Sequence, residues 1–226
     1  MKIINCLQSS NDRSVSNLLA ETYRLIGRSY FDLKLFHQSS ANYKHAYEII
    51  RSSNDTNCLY RSLFDFGRSL ILISNYTEAL EIFNEMLTQT TSDNERAFVY
   101  QYLSFCYLNL KNYSQAKTYA YQSLDYACQS NDELLSIESN ILLGKIYLKL
   151  KDFQRAQEYL TYARNAKDLL GDLNQIKYLD DLLNHLKSKT IDFNQQWLST
   201  VINQSKEHIH WRLLTPYYYL FEKQRN

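Results

Sequence analysis

Proline occurs once and glycine four times in 226 residues. Both residues punctuate turns and strand ends, so their scarcity favours a few long helices over many short strands. No stretch approaches the ~20 consecutive apolar residues that a membrane-spanning helix needs. The N-terminus, MKIINCLQSSND, lacks the apolar run of a secretion signal. Neither sign of charge is in excess: the formal net charge is +1, so no global field draws the chain to nucleic acid or an anionic membrane. Cys6, Cys58, Cys106 and Cys128 are scattered, with no CxxC and no metal-ligand spacing, as expected of reduced thiols in a cytosolic protein. The cytoplasm is therefore the expected compartment, and the sequons at Asn54, Asn75, Asn112 and Asn203 are chance matches in an Asn-rich chain.

Catalytic patterns are missing as well. There is no Gly-rich phosphate loop, and no Ser, His and Asp grouping carries a recognisable motif. His208 and His210 stand two residues apart, which on a helix do not share a face, and the neighbouring Glu207 and Trp211 do not complete a metal site. His37 and His45 are incidental to the first hairpin, and Asp180-Asp181 belongs to a solvated helix face. No enzyme activity, no metal and no cofactor is expected.

What is present is enough apolar material for a continuous core, 45% hydrophobic against 22% charged residues, and an unusual 20 tyrosines. The tyrosines go with an abundance of Asn and Ser, a bias that A/T-rich coding also produces, and they receive no functional weight. A Ser/Asn/Asp cluster recurs at Ser10-Asn11-Asp12, Ser53-Asn54-Asp55, Ser92-Asp93-Asn94 and Ser130-Asn131-Asp132, with Gly171-Asp172 in the same phase. The aspartates Asp12, Asp55, Asp93, Asp132 and Asp172 lie 43, 38, 39 and 40 residues apart. A second marker keeps step: Phe36, Tyr76, Tyr113, Phe153 and Phe193 each follow a short polar turn, at intervals of 40, 37, 40 and 40.

Asp, Asn and Ser accept hydrogen bonds from the unpaired amides of a helix start, so each cluster reads as an N-cap. Helix-spaced apolar positions follow, such as Leu59, Leu63, Phe66, Leu70 and Ile73, then a turn such as Ser74-Asn75 or Lys111-Asn112. A second, shorter helix closes the unit, burying Ala79, Leu80, Phe83 and Leu87 in the second one. The expected units are about 14–53, 54–91, 92–130 and 131–170, with a degenerate unit at 171–207 and a tail at 208–226, all in one domain spanning 1–226.

These units resemble tetratricopeptide repeats. The small residue midway along the first helix is Gly27, Gly67, Ser104 and Gly144, and the large residue three further on is Tyr30, Leu70, Tyr107 and Tyr147. The second-helix alanine is Ala79, Ala116 and Ala156, with Ser39 in the first unit; the bulky residue after it is Tyr43, Phe83 and Leu160, with Ala120 in the third. A further small position holds Ala46, Ser123 and Ala163, with Met86 in the second unit. The family's proline after the second helix is absent, and the period exceeds the common 34 residues, which implies longer first helices. In the fifth unit Asn184, Lys187 and Gln196 replace the pattern residues, and Leu173, Ile176, Leu179 and Leu183 alternate with polar neighbours, as a terminal cap requires. Thr215-Pro216 reads as the start of a last helix, Pro216–Arg225. The resemblance implies an all-α, right-handed α-solenoid of about five antiparallel hairpins, a superhelix with a degenerate C-terminal capping repeat.

In such a solenoid the first helices line a concave groove. The resemblance places Arg24, Arg28, Phe64, Arg68, Gln101, Phe105, Asn109, Lys145 and Lys149 there, a locally basic set that Asp32 and Asp65 temper. The partner expected is a protein or peptide segment of acidic character, with guanidinium groups pairing carboxylates and Phe64 and Phe105 as apolar anchors. A solvated face with no ligand is the competing reading. Trp211, Tyr217, Tyr218 and Tyr219 form a C-terminal aromatic patch that either packs on the fifth unit or docks an assembly partner.

A chaperone-tail clamp is set aside, because the matching positions hold Arg24, Arg28, Asp65, Phe98 and Tyr102, and Asp65 repels a terminal carboxylate. The leading expectation is an adaptor within a multiprotein assembly. The alternatives are a peptide-sensing regulator similar to bacterial pheromone receptors and the sensory part of a larger signalling protein. The first unit begins near residue 14, leaving only Met1–Arg13 ahead of it, which weighs against the regulator.

Overall fold

The computed structural model describes residues 13–53, 56–166 and 173–188, and every element among them is helical. The helices are α1 Arg13–Asp32, α2 Phe36–Ser53, α3 Thr56–Leu72, α4 Tyr76–Thr88, α5 Asp93–Asn109, α6 Tyr113–Gln129, α7 Glu133–Lys149, α8 Phe153–Asn165 and α9 Leu173–Ser188. The chain divides into two compact units, 1–176 and 177–226.

In the first unit, α1 to α8 form four antiparallel hairpins of the tetratricopeptide type. Each helix packs on its neighbours in the chain, and first helices also pack on first helices, α1 on α3 and α5 on α7. Longer-range pairing is unnecessary, because each hairpin hides its apolar faces on the next one.

The four hairpin turns share one geometry. Lys34, Ser74, Lys111 and Lys151 sit in the left-handed region at φ of 60, 60, 61 and 61°. The amide just after each reaches back five residues: Leu35 to the Tyr30 carbonyl, Asn75 to Leu70, Asn112 to Tyr107 and Asp152 to Tyr147, at 2.9–3.0 Å. Such a closure satisfies carbonyls that the helix end leaves open, and glycine is its usual residue. Here three of the four glycines lie inside first helices instead. The second helices then start on side-chain caps: Asn75, Asn112 and Asp152 accept from the amides of Glu78, Gln115 and Arg155.

The Ser/Asn/Asp clusters cap first helices where they are described. Ser92, not Asp93, caps α5, in a capping box closed by Glu95, while Asp132 accepts from the Leu135 amide at 2.9 Å to start α7. The caps read at Asp12, Asp55 and Asp172 lie outside the described residues. One expectation is corrected. Second helices are not uniformly the shorter: α6 matches the 17 residues of α5, whereas α2 has 18 beside 20 in α1, and α4 and α8 have 13 beside 17 in α3 and α7. The longer pair have a further apolar contact to bury beyond the common length, Ile50 in α2 and Ala127 in α6.

The crossing within each hairpin is set by size. A Cβ on Gly27 would lie 3.1 Å from the Tyr43 ring, one on Gly67 2.8 Å from Phe83, and one on Gly144 2.7 Å from Leu160. Hairpin three exchanges the sizes, with Ser104 on the first helix and Ala120 on the second, both fully buried. The serine hydroxyl donates to the Ala116 carbonyl at 2.7 Å, as Ser39 donates to the Gly27 carbonyl in hairpin one. An aromatic seam, Phe64, Phe98, Tyr102 and Phe83, ties hairpins two and three, Phe83 stacking on Tyr102 at 4.7 Å.

In the second unit, α9 buries Leu179, Leu182, Leu183 and Leu186, one stripe at helix spacing, and exposes Asp181 and Asn184. Phe193, Gln196 and the tail helix expected from Pro216 lie outside the described residues.

Candidate functional site

The expected groove residues fall at fixed offsets from the small residue of each first helix. Arg24 and Arg28 flank Gly27, Phe64 and Arg68 flank Gly67, Gln101 and Phe105 flank Ser104, and Lys145 follows Gly144. One helix face therefore recurs along α1, α3, α5 and α7. Its chemistry differs sharply between the two ends.

Across α1 and α3 the face is a packed cluster of charge. Arg24 donates through Nε and Nη2 to both Glu21 oxygens, at 2.8 and 2.6 Å, and through Nη1 to Asp65 at 3.4 Å on the neighbouring hairpin. Glu21 and Asp65 together hold the Arg24 guanidinium above its ordinary range despite burial. The Asp65 side chain is only 13% exposed. That burial raises its pKa, while Arg68, Arg24 and Arg61 oppose the rise. Arg68 is 8% exposed and lies over two rings, its guanidinium carbon 5.0 Å from the Phe64 centroid and 5.4 Å from Phe31. The Arg68 Nε is buried without a hydrogen-bond partner. Tyr43, from α2, reaches the same cluster. Burial raises its phenol, Asp65 adds to the rise, and Arg68, Arg24 and Arg28 lower it.

Across α5 and α7 the face is largely closed. Phe64 packs 5.2 Å from Phe98, and Phe105 meets Tyr76 edge-on at 6.4 Å, so the two expected anchors are buried against rings of their own chain. Gln101 is buried with no partner for Nε2. Asn109 donates to the Phe105 carbonyl at 2.8 Å and is tied to its own helix. Lys145 is 6% exposed, and burial drives its pKa down to about 7, with Glu138 opposing. Lys149 is half-buried. The basic character therefore concentrates in the first two hairpins. Asp32, expected to temper it, is exposed at the end of α1. Asp65 is at its centre.

Three groups escaped the sequence reading. Arg61 and Tyr43 join the arginine cluster, a placement that needs the hairpins folded. The tyrosines also have a structural use. Tyr107 stacks on Tyr119 at 5.4 Å and 6°, and Tyr147 stacks on Tyr159 at 5.6 Å and 4°, one repeat later. Tyr121 joins hydroxyls with both Tyr147 and Tyr159 at 2.8 Å. The shared offset of 40 residues was the signal available for this pairing. Trp211, Tyr217, Tyr218, Tyr219, His208 and His210 lie outside the described residues. Among the described residues, no three His, Cys, Asp or Glu side chains are grouped to hold a metal, and no helix is long and apolar enough to cross a membrane.

Comparison with known proteins agrees with this architecture. Tetratricopeptide repeat models match residues 18–91, which cover the first two hairpins, and residues 137–162 in the fourth. Curated relatives include the outer dynein arm-docking complex subunit 4 of Danio rerio, 23% identical over 76% of this chain and 35% of that protein. The Homo sapiens protein of that name is 22% identical over 69% of this chain and 24% of its own length. The chain thus spans about a third or less of the curated relatives it matches. Among solved structures, apo RapI superposes with a TM-score of 0.66 at 20% identity, covering 92% of this chain and 73% of that one. A signal transduction ATPase with a tetratricopeptide repeat sensor from Pyrococcus horikoshii gives 0.69 at 20%, covering 88% of this chain and 31% of that one. These likenesses speak to fold. With the small-and-large register, the hairpin geometry and the matched stretches in agreement, residues 18–91 and 137–162 are tetratricopeptide repeats.

Proposed function

We propose that the chain is a non-catalytic interaction scaffold, an adaptor within a multiprotein assembly, whose first helices receive a segment of a partner protein. The observation that carries this reading is the arginine-rich face shared by α1 and α3. Arg24, Arg28, Arg61 and Arg68 gather there, although the whole chain has a net charge of only +1. Guanidinium forks pair carboxylates in two parallel hydrogen bonds, which favours an acidic segment. The likeness to a docking-complex subunit supports membership of an assembly, and the proposed compartment is the cytoplasm. The sensor reading shares the fold with the Pyrococcus ATPase and its tetratricopeptide repeat sensor, but no feature of the site favours it.

Affinity purification with cross-linking mass spectrometry tests the proposal. Cross-links from a partner to the half-buried Lys149 place it on the first-helix face, and an Arg24/Arg28/Arg68 triple alanine variant should lose that partner. Unchanged affinity in the triple variant, or cross-links confined to Lys223 beside the Tyr217–Tyr219 patch, would move the interface to the tail.

A further inference from the structure

The arginine cluster contains a carboxylate of its own, and that limits what it can bind. Glu21 and Arg24 on α1 meet Asp65 on α3, and Arg28 on α1, Tyr43 on α2 and Arg61 and Arg68 on α3 lie within electrostatic reach of Asp65 or Tyr43. Arg24 is committed, with all three of its nitrogens engaged by Glu21 and Asp65. Arg68 is differently placed. Its guanidinium lies over the Phe31 and Phe64 rings, and its Nε is enclosed without an acceptor. A buried donor left without an acceptor is costly, and an arriving oxygen relieves that cost. All four cations are arginines, the side chain whose planar fork matches phosphate and carboxylate alike.

We infer that this cluster is a seat for a phosphoryl group, with Arg68 as its principal fork, Arg28 and Arg61 nearby, and Asp65 as the resident anion with which an arriving group competes. The inference rests on the partner-binding reading above and specifies its chemistry. A phosphoryl group brings about −1.5 to −2 charges and three strong acceptor oxygens. A carboxylate brings one charge and two oxygens, and Asp65 already supplies one at this position. A second monoanion adds little to what the fold provides, whereas a dianion offers acceptors to several forks at once.

The test uses the full chain and three peptides with identical neutral flanks, carrying phosphoserine, glutamate or serine at the centre. Binding is followed by fluorescence anisotropy at fixed ionic strength. The phosphoserine peptide should bind at least tenfold tighter than the glutamate peptide, and the serine peptide should not bind measurably. Arg68→Lys keeps the charge and loses the fork, so it should weaken phosphopeptide binding about tenfold. Should Arg68→Lys fail to fold, the half-buried Arg28→Gln takes its place, with the same direction expected. Asp65→Asn removes the internal competitor and should tighten binding severalfold.

Inorganic phosphate is titrated alone in a thermal-shift arm. A rise in melting temperature that Arg68→Lys abolishes supports the seat and identifies free phosphate as sufficient. Equal binding of the phosphoserine and glutamate peptides would overturn the inference, as would wild-type phosphopeptide affinity in a folded Arg68 variant. Absence of any response to phosphopeptide and phosphate would overturn it equally. A partner that cross-links to the first-helix face equally well after phosphatase treatment sinks this inference and leaves the scaffold reading standing.

Discussion

Gly144 and Leu160 meet so closely that a methyl group on the glycine would lie 2.7 Å from both Cγ and Cδ2 of the leucine. Helix α7 therefore approaches α8 only because one partner has no side chain. Ordinarily Gly→Ala in a helix interior gains roughly 1 kcal/mol. Here overpacking of about 1–3 kcal/mol opposes that gain. Gly144→Ala is expected to lower the unfolding free energy by about 1 kcal/mol, measured by urea denaturation. Gly144→Ala combined with Leu160→Ala should couple favourably. Simple addition of the two single effects would refute the contact as the cause.

Hairpin three performs the reverse exchange naturally. Ser104 occupies the glycine position and Ala120 the bulky one. Ala120→Leu alone should destabilise by roughly 1–3 kcal/mol, since the serine stands where the leucine must go. Adding Ser104→Gly should recover a large part of the loss, less the contribution of the Ser104 hydrogen bond to the Ala116 carbonyl, about 1 kcal/mol. A double-mutant cycle gives the coupling directly. A coupling near zero would mean that size at this crossing does not set the approach.

Lysine stands in the left-handed position of three of the four hairpin turns, and at Lys111 and Lys151 φ is 61°. A side chain there costs roughly 1–2 kcal/mol relative to glycine, partly offset because glycine is freer in the unfolded chain. Lys111→Gly and Lys151→Gly are each expected to stabilise by about 0.5–1 kcal/mol. Calorimetric melting temperatures check this. A fall in either variant would show that the lysine side chain makes a contact worth more than the backbone strain.

Lys145 makes stability depend on pH. Its pKa in the folded protein is about 7, below the ordinary 10.5, because burial disfavours the ammonium. Between those values the unfolded chain holds a proton that the folded chain has released, so this residue makes stability rise with pH across the window. Its penalty is complete below pH 7 and is gone above the unfolded value. Lys145→Met should therefore stabilise the protein at pH 6, by on the order of 2–4 kcal/mol, with the advantage shrinking as pH approaches 9.5. An advantage that does not change with pH would show that lost volume and polarity, not charge, set the effect.

Much of the fold could be read without coordinates, because the information is local and periodic. Gly27, Gly67 and Gly144 at matching places, with Tyr43, Phe83 and Leu160 after them, announce close helix crossings. Asn75, Asn112 and Asp152 announce second-helix starts. The lengths of α2 and α6 were less legible, since a helix persists while the next apolar residue still finds a neighbour. That depends on the following hairpin.

The candidate site divides along the same line. The repeat register determined which side chains share the first-helix face, from Arg24 to Lys149, because a helix returns the same face at fixed spacing. Tertiary packing decided what those side chains are. It brought Asp65 onto Arg24 from 41 residues away, laid Arg68 across Phe31 and Phe64, enclosed Phe105 beside Tyr76 and lowered the pKa of Lys145. Charge and exposure are properties of an environment, and here the adjoining hairpin supplies that environment.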